Sequence, residues 1–274
     1  MHSTMTGTVT ARATGRLRLR RPISRGSLHS SWLLSIGSLA VVLAVWELVV
    51  AVGLVSPRHL PPPSRVATAG LDLLTSGGLL GDLATSVGRA LAGYVIGSVV
   101  AVAVALGTGR SPLIRGLLEP TLQVLRPIPA LAWVPFSILW FGIGEGQKVF
   151  VIALGVFFPV WLNSHLGVAG TPARYLNVAR TLGATRRDLF LRVSLPAALP
   201  LMVAGLRQGI ALAFLLLVAA ELTGASSGLG ALISQAHLLF RPDQMIVGLV
   251  LLGVLGAVVD FLFARAARRL VPWS

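Results

Sequence analysis

The chain has 274 residues, of which 55% are hydrophobic and only 12% charged, with a mean hydropathy of +0.83 and a net charge of +14. Soluble domains carry about a quarter charged residues, so the composition excludes an ordinary soluble domain and predicts an integral membrane protein. No cysteine is present, and the five histidines (His2, His29, His59, His165, His237) are scattered without an HExxH pairing, so neither a disulfide framework nor a metal centre is expected. Each histidine reads as a loop or interfacial residue.

Residues 1–30 are rich in arginine, serine and threonine and free of acid. That composition also fits a secretory n-region or a transit peptide. The first apolar stretch, residues 32–55, argues against cleavage, because it is longer than an h-region of 7–15 residues, contains Glu47 and has no clear small-residue cleavage site after it. Residues 1–30 are therefore expected to be a disordered cytoplasmic tail held near anionic headgroups, and residues 31–274 a single transmembrane domain.

Six spans are expected, near 32–55, 90–109, 125–142, 149–167, 199–221 and 245–263, each close to the roughly 20 residues that cross the hydrocarbon core. The fold class is all-α. Between the first two spans, LPPPSRVATAG (60–70) reads as an extended segment, since three consecutive prolines deny helical donors. A lead-in helix from about Leu79 feeds the second span. There Gly88 and Ala92, then Gly93 and Gly97, pair at the four-residue spacing that lets membrane helices approach closely. The third span is interrupted by Pro120, Pro127, Pro129 and Pro135, so a straight helix is not expected; broken helices at membrane depth line a cavity or pack on protein.

Residues 171–200, TPARYLNVARTLGATRRDLFLRVSLPAALP, form a basic loop with five arginines (Arg174, Arg180, Arg186, Arg187, Arg192) against one acid, Asp188. The signals describe two short helices. Thr171 is read as the N-cap of the first, with Pro172 at its first position, and Gly183 as its end at positive φ. Thr185 is read as the cap of the second, with Asp188 completing a capping box. Tyr175, Val178, Ala179 and Leu182 fall on one face of the first helix, and Arg174, Asn177 and Thr181 on the other.

The distribution of charge gives a topology. With the N-terminus inside, 16 basic residues collect on the cytoplasmic side and four (Arg58, Arg65, Lys148, Arg241) outside, leaving Arg89, Arg126 and Arg207 in or beside apolar segments. This bias predicts both termini in the cytosol, and it accounts for the positive charge without nucleic acid. Arg207 lies about 12 Å into its span by helical rise, which predicts that it faces the protein interior or a pathway, serving an anion or pairing with Glu47 or Glu119. Arg126 lies nearer the cytoplasmic end, where its side chain can snorkel. Glu145 and Glu221 read as interfacial or structural residues. The single lysine is not part of a GxxxxGK[ST] loop, and GASSGLG (224–230), with no strand before it, reads as a tight external turn. No Ser/His/Asp arrangement or paired carboxylates suggest hydrolysis.

The spacing Ala179, three residues, Gly183, nine residues, Val193, one residue, Leu195-Pro196 resembles the EAA loop of permease subunits of binding-protein-dependent ABC importers. LRPIPALAWVPFSILWFGIGEGQKVF (from Leu125) and AAELTGASSGLGALI (from Ala219) are similar to the sulfonate, taurine and nitrate branch of that family. The resemblance implies a type I importer (MetI-like) architecture in a bacterial plasma membrane, working as a homodimer of permease subunits with a cytosolic ABC ATPase dimer and an extracytoplasmic substrate-binding protein. It places the coupling loop at 171–196, with Asn177, Val178, Ala179, Leu182, Gly183 and Ala184 as ATPase-coupling residues. ATP is then used by the partner and this subunit is non-catalytic, with no cofactor of its own. The implied cargo is an aliphatic sulfonate, with taurine, nitrate or a thiamine-precursor pyrimidine as alternatives. The motif's leading glutamate is Asn177 here, which removes a charge but keeps a hydrogen-bonding amide. A self-sufficient secondary transporter or an intramembrane enzyme would show midplane acids, inverted repeats or a reactive constellation, and none is apparent.

Overall fold

Helices and short connections account for the described residues, 28–76 and 78–270, of the computed structural model. Residues 1–27, on which most of the expected basic tail falls, lie outside them. The chain divides into two compact units, Met1–Leu48 and Val49–Ser274. Helix α1 (Leu28–Ala51) supplies the described part of the first. The second contains α2 (Pro63–Thr75), α3 (Leu79–Arg110), α4 (Pro112–Leu125), α5 (Val134–Phe141), α6 (Glu145–Ala169), α7 (Ala173–Thr181), α8 (Arg186–Asp188), α9 (Leu195–Leu222), α10 (Leu229–Leu238) and α11 (Pro242–Leu270).

The all-α, multi-pass class is what the structure shows. Among the described residues four helices are long and apolar enough to cross a membrane: Leu79–Arg110, Glu145–Ala169, Arg186–Leu222 and Pro242–Arg269. Helix α4 and the segment Ala130–Phe141 are together apolar enough for one more, but they meet at 91°, the geometry of a broken span or a re-entrant loop. Pro127 and Pro129 lie in that bend and Pro135 opens α5, so the prolines act where the sequence places them. In α1 the apolar stretch Ile36–Ala51 is shorter.

Two local expectations are corrected. Of residues 60–70, only the start is extended: Pro63 opens α2 at its first turn, where a missing N–H costs nothing, and Arg65 onwards is helical. The second short helix of the elbow is not separate either. Its α8 turn passes through a π-helical stretch, Leu189–Ser194, directly into α9.

Helix α6 packs on α3 along one side and on α9 along another, and these contacts make the core. Lipid tails are as apolar as leucine, so the attraction between such helices comes from close packing, which small residues permit. Of the two small pairs in α3, Gly93 and Gly97 do this work. A Cβ at Gly97 would overlap the Ala153 carbonyl, and one at Gly93 would meet Ile152 at 2.5 Å. Gly88 faces open space instead. On the α9 side Gly205 sits equally close, at 2.7 Å from the Asn163 Cβ. Around these contacts Ile152, Val156, Trp161 and Leu217 are buried.

Candidate functional site

At one end of the helices the chain turns from α6 into the elbow. Thr171 does not cap α7: it lies one residue before the N-cap, and its hydroxyl donates 2.9 Å back to the Val168 carbonyl in the last turn of α6. Pro172, with extended backbone (φ −58°, ψ 129°), takes the N-cap place. Helix α7 ends as the sequence suggests: Gly183 has φ +82°, the Gly183 N–H donates to the Arg180 carbonyl and the Ala184 N–H to the Ala179 carbonyl. This is a Schellman ending, which needs the left-handed conformation that glycine adopts without strain. The next turn is held by a full capping box, the Thr185 Oγ1 accepting from the Asp188 N–H at 3.2 Å and the Thr185 N–H donating to the Asp188 carboxylate at 3.2 Å. The Thr185 hydroxyl also donates to that carboxylate, and these bonds hold Asp188 below the usual carboxylate range.

The apolar face of this elbow is left open by the described residues. Val178 is 61% and Leu182 82% exposed, and Tyr175 is also exposed, while Ala179 and Ala184 are half-buried. Asn177 is exposed, and its Oδ1 accepts from Arg180 at 3.3 Å. On its inner side the elbow is anchored. The Arg110 guanidinium lies 5.0 Å from the Phe190 ring centre, and Arg115 caps the end of α3 by donating to the Thr108 and Gly109 carbonyls. His165, expected at an interface or loop, is instead buried in α6, with Nδ1 2.9 Å from the Thr108 hydroxyl.

The two arginines singled out in the spans lie in different places. Arg126 follows α4 at the bend, exposed, and lines a cleft of about 460 Å³ whose other walls are α6 and α9. Asn163 and Gln208 face each other across this cleft, the Asn163 amide donating to Gln208 Oε1 at 3.0 Å and to the Pro159 carbonyl at 2.9 Å. Arg207 is one position along α9 and therefore turned about 100° away. It is 56% exposed and makes a bidentate pair at 2.7 Å with Asp260 of α11. Its partner is thus neither Glu47 nor Glu119, because the helix phase directs it to α11; Glu119 instead accepts from Gln123 at 2.9 Å.

At the opposite end from the elbow lies an ion cluster, buried except at Glu145, that sequence reasoning did not assemble. Arg89 of α3 donates to Glu145 of α6 at 2.6 and 2.5 Å, to Glu221 of α9 at 2.7 Å and to the Ser227 carbonyl at 2.6 Å. Glu221 is 1% exposed and also accepts from Ser86 and from the Gly230 N–H at 2.7 Å. Lys148, counted with the basic residues of the external side, is buried beside Glu145 at 3.2 Å. The GASSGLG segment is a turn with Gly224 at φ +100° and Gly228 at φ +109°, and its N–H groups are received by this cluster and by Asp82. A Cβ on Gly228 would collide with the Glu221 carboxylate. Among the described residues no group of three or more potential metal ligands occurs.

A multi-pass helical body, a bent helix pair, a cleft between α6 and the middle of α9, and a basic elbow with an exposed apolar face fit a transport permease. The chain belongs to the family described as binding-protein-dependent transport system inner membrane component, which matches residues 83–272. It is 36% identical over 248 residues to a putative aliphatic sulfonates transport permease protein, SsuC, of Bacillus subtilis, covering 90% of each chain. It is 35% identical to the taurine transport system permease protein TauC of Escherichia coli, covering 94% of each, and 32% identical to the nitrate import permease protein NrtB of Leptolyngbya laminosa, covering 85% of each. Among solved structures, the inward-facing MetNI methionine ABC transporter matches with a TM-score of 0.53 and 25% identity, over 72% of this chain and 95% of that one. The protein is accordingly a multi-pass inner-membrane permease subunit of an ABC importer.

Proposed function

We propose that two copies of this chain form the membrane pathway of an ATP-driven importer of small organic anions, with an aliphatic sulfonate as cargo. An extracytoplasmic binding protein delivers the cargo, and a cytosolic ABC ATPase dimer hydrolyses ATP, this subunit holding no cofactor and performing no catalysis. Both termini face the cytosol, in line with the distribution of arginines along the chain.

The observation that carries the reading is the exposed apolar face of the elbow, Val178 and Leu182, set on a turn fixed by Gly183 and the Thr185–Asp188 box. An apolar patch kept in place by two terminating motifs is built for a protein partner. Asn177, Val178, Ala179, Leu182, Gly183 and Ala184 are the residues proposed to meet the ATPase and to convert its closure into movement of α6 and α9. The cargo class rests on the sulfonate and taurine permeases among the relatives. Of the two span arginines, Arg126 is the one proposed to serve the pathway, since Arg207 already holds Asp260.

Reconstitution with the neighbouring ATPase and binding protein tests this directly. Labelled alkanesulfonate is expected to accumulate in an ATP-dependent manner, ahead of taurine, nitrate and a neutral pyrimidine. Uptake of the neutral compound alone would overturn the cargo, and uptake without the ATPase would overturn the mechanism. Reporter fusions at Gly78, Gly109, Gly144, Arg187 and Gly228 are expected to read outside, inside, outside, inside, outside.

A further inference from the structure

We infer that the cleft between α6, α9 and the bend at residues 126–131 is an anion-holding site within the membrane, with Arg126 and Gln208 as donors to the oxygens of a sulfonate and Asn163 as the residue that positions Gln208. The inference rests on the sulfonate reading above and gives it an address.

The walls are otherwise apolar, formed by residues such as Ile128, Leu131, Phe158, Leu162, Leu212 and Leu215. Gln208 stands near the middle of α9, about 20 Å by helical rise from Leu195 and a similar distance from Leu222. Polar side chains at such depth do not face hydrocarbon without cost, so this face of the chain is turned toward water or protein. Their hydrogen bonding is also one-sided. The Asn163 amide uses its N–H groups on the Pro159 carbonyl and Gln208 Oε1, which ties back the one acceptor of the Gln208 amide. Among the described residues no acceptor meets Gln208 Nε2 or the Arg126 guanidinium, and no aspartate or glutamate lines the cleft. A cation and a free amide donor in an apolar wall are complementary to a ligand that offers acceptors and negative charge. A sulfonate offers three acceptor oxygens, and guanidinium binds such planar pairs of oxygens in two-point fashion. The contrast with Arg207, one residue away, sharpens the assignment: its charge is already matched by Asp260, whereas that of Arg126 is not.

The chain contains no cysteine, so a single Gln208→Cys substitution gives one reporter thiol in this subunit. In membrane vesicles holding the full complex, the anionic reagent sulfonatoethyl methanethiosulfonate is expected to label it at least about tenfold faster than the cationic trimethylammonium-ethyl analogue, after correction for their rates with a free thiol. Ethanesulfonate is expected to slow the anionic reaction. Adding Arg126→Gln should bring the corrected ratio down toward one, and adding Arg126→Lys, which keeps the charge, should preserve it. The inference is overturned by a thiol that neither reagent reaches, by labelling that ethanesulfonate leaves unchanged, or by a ratio indifferent to Arg126→Gln. Labelling needs no turnover, so these results are separate from the uptake assay, in which failure of the unsubstituted complex to move any sulfonate would overturn the cargo instead.

Discussion

The two ends of the helical body handle charge and apolar surface in opposite ways. At the far end, buried Arg89, Glu221 and Lys148 and the more exposed Glu145 neutralise one another and bind the backbone of the turn that follows α9. At the elbow, five arginines and an apolar helix face are exposed, and the fixed parts are the turn geometry, the Arg192–Asp188 pair and the inner contact of Phe190 with Arg110. A region that satisfies itself works as a brace between α3, α6 and α9. A region that fixes its shape but leaves its surface uncovered is waiting for something to cover it. The comparison predicts that damage at the far end is read as lost protein, and damage at the elbow as lost transport by intact protein.

The largest effect is expected from Glu221→Ala. It leaves Arg89 short of one buried carboxylate and strands the Ser86 hydroxyl and the Gly230 N–H. Breaking a buried pair in this way costs about 3–5 kcal/mol, with the lower value apt here because Arg89 retains Glu145. The detergent-solubilised protein should lose most of its yield and unfold at a markedly lower temperature. Near-normal yield with reduced uptake would reverse the roles assigned to the two ends.

Gly183→Val is the matching test at the elbow. A β-branched residue at φ +82° strains the turn by about 1–2 kcal/mol, enough to shift its equilibrium roughly tenfold. A Cβ there meets no neighbouring atom, so the body of the protein should be untouched. Thermal unfolding is expected to be unaltered while uptake and cargo-stimulated ATP hydrolysis fall. Normal transport by this variant would remove the elbow from the mechanism.

What the sequence made legible, and what it did not, divides along the same line. The Gly183 ending and the Thr185–Asp188 box depend on residues three or four apart, so local chemistry determines them. Gly93 and Gly97 were legible for the same reason, although Gly88 and Ala92 carry the same spacing and Gly88 faces open space. The far-end cluster was not, because Arg89 finds acids 56 and 132 residues away. Nor was the Arg207–Asp260 pair, which depends on the rotational phase of α11 against α9, or the Asn163–Gln208 contact across the cleft. Thr171 shows how a local signal fails: it has the right type for a cap, but α7 starts one residue later, with Pro172 at the N-cap, and the hydroxyl donates to α6 instead.

Arg207–Asp260 lies between the two extremes, paired but partly exposed along the spans. Arg207→Gln leaves the Asp260 carboxylate without its counter-ion, and the amount of assembled complex is expected to fall by roughly threefold. Adding Asp260→Asn should restore it, since a neutral pair has no stranded charge. Assembly is read by size-exclusion of the purified complex. If the double variant is no better than the single one, the pair is not what holds this arginine in place.

The smallest effect is a pH dependence confined to the elbow. The Asp188 carboxyl is held below its ordinary range, first by the Thr185 hydroxyl and then by the Thr185 N–H, so deprotonation is favoured in the folded loop relative to the unfolded chain. A depressed carboxyl contributes stability that is present above its unfolded value, about 3.9, and is lost as pH falls through the lowered native value. Backbone amides of residues 186–190 should therefore keep constant protection from hydrogen exchange, corrected for intrinsic rates, from about pH 8 to about pH 5, and lose part of it only below about pH 4. Asp188→Asn removes the ionisable group, so its protection should be lower at neutral pH and flat across the whole range. Loss of protection beginning near pH 6 in the native chain would point to a group other than this box. An unchanged profile in Asp188→Asn would mean that the Schellman turn at Gly183, and not the carboxylate, sets the stability of the elbow.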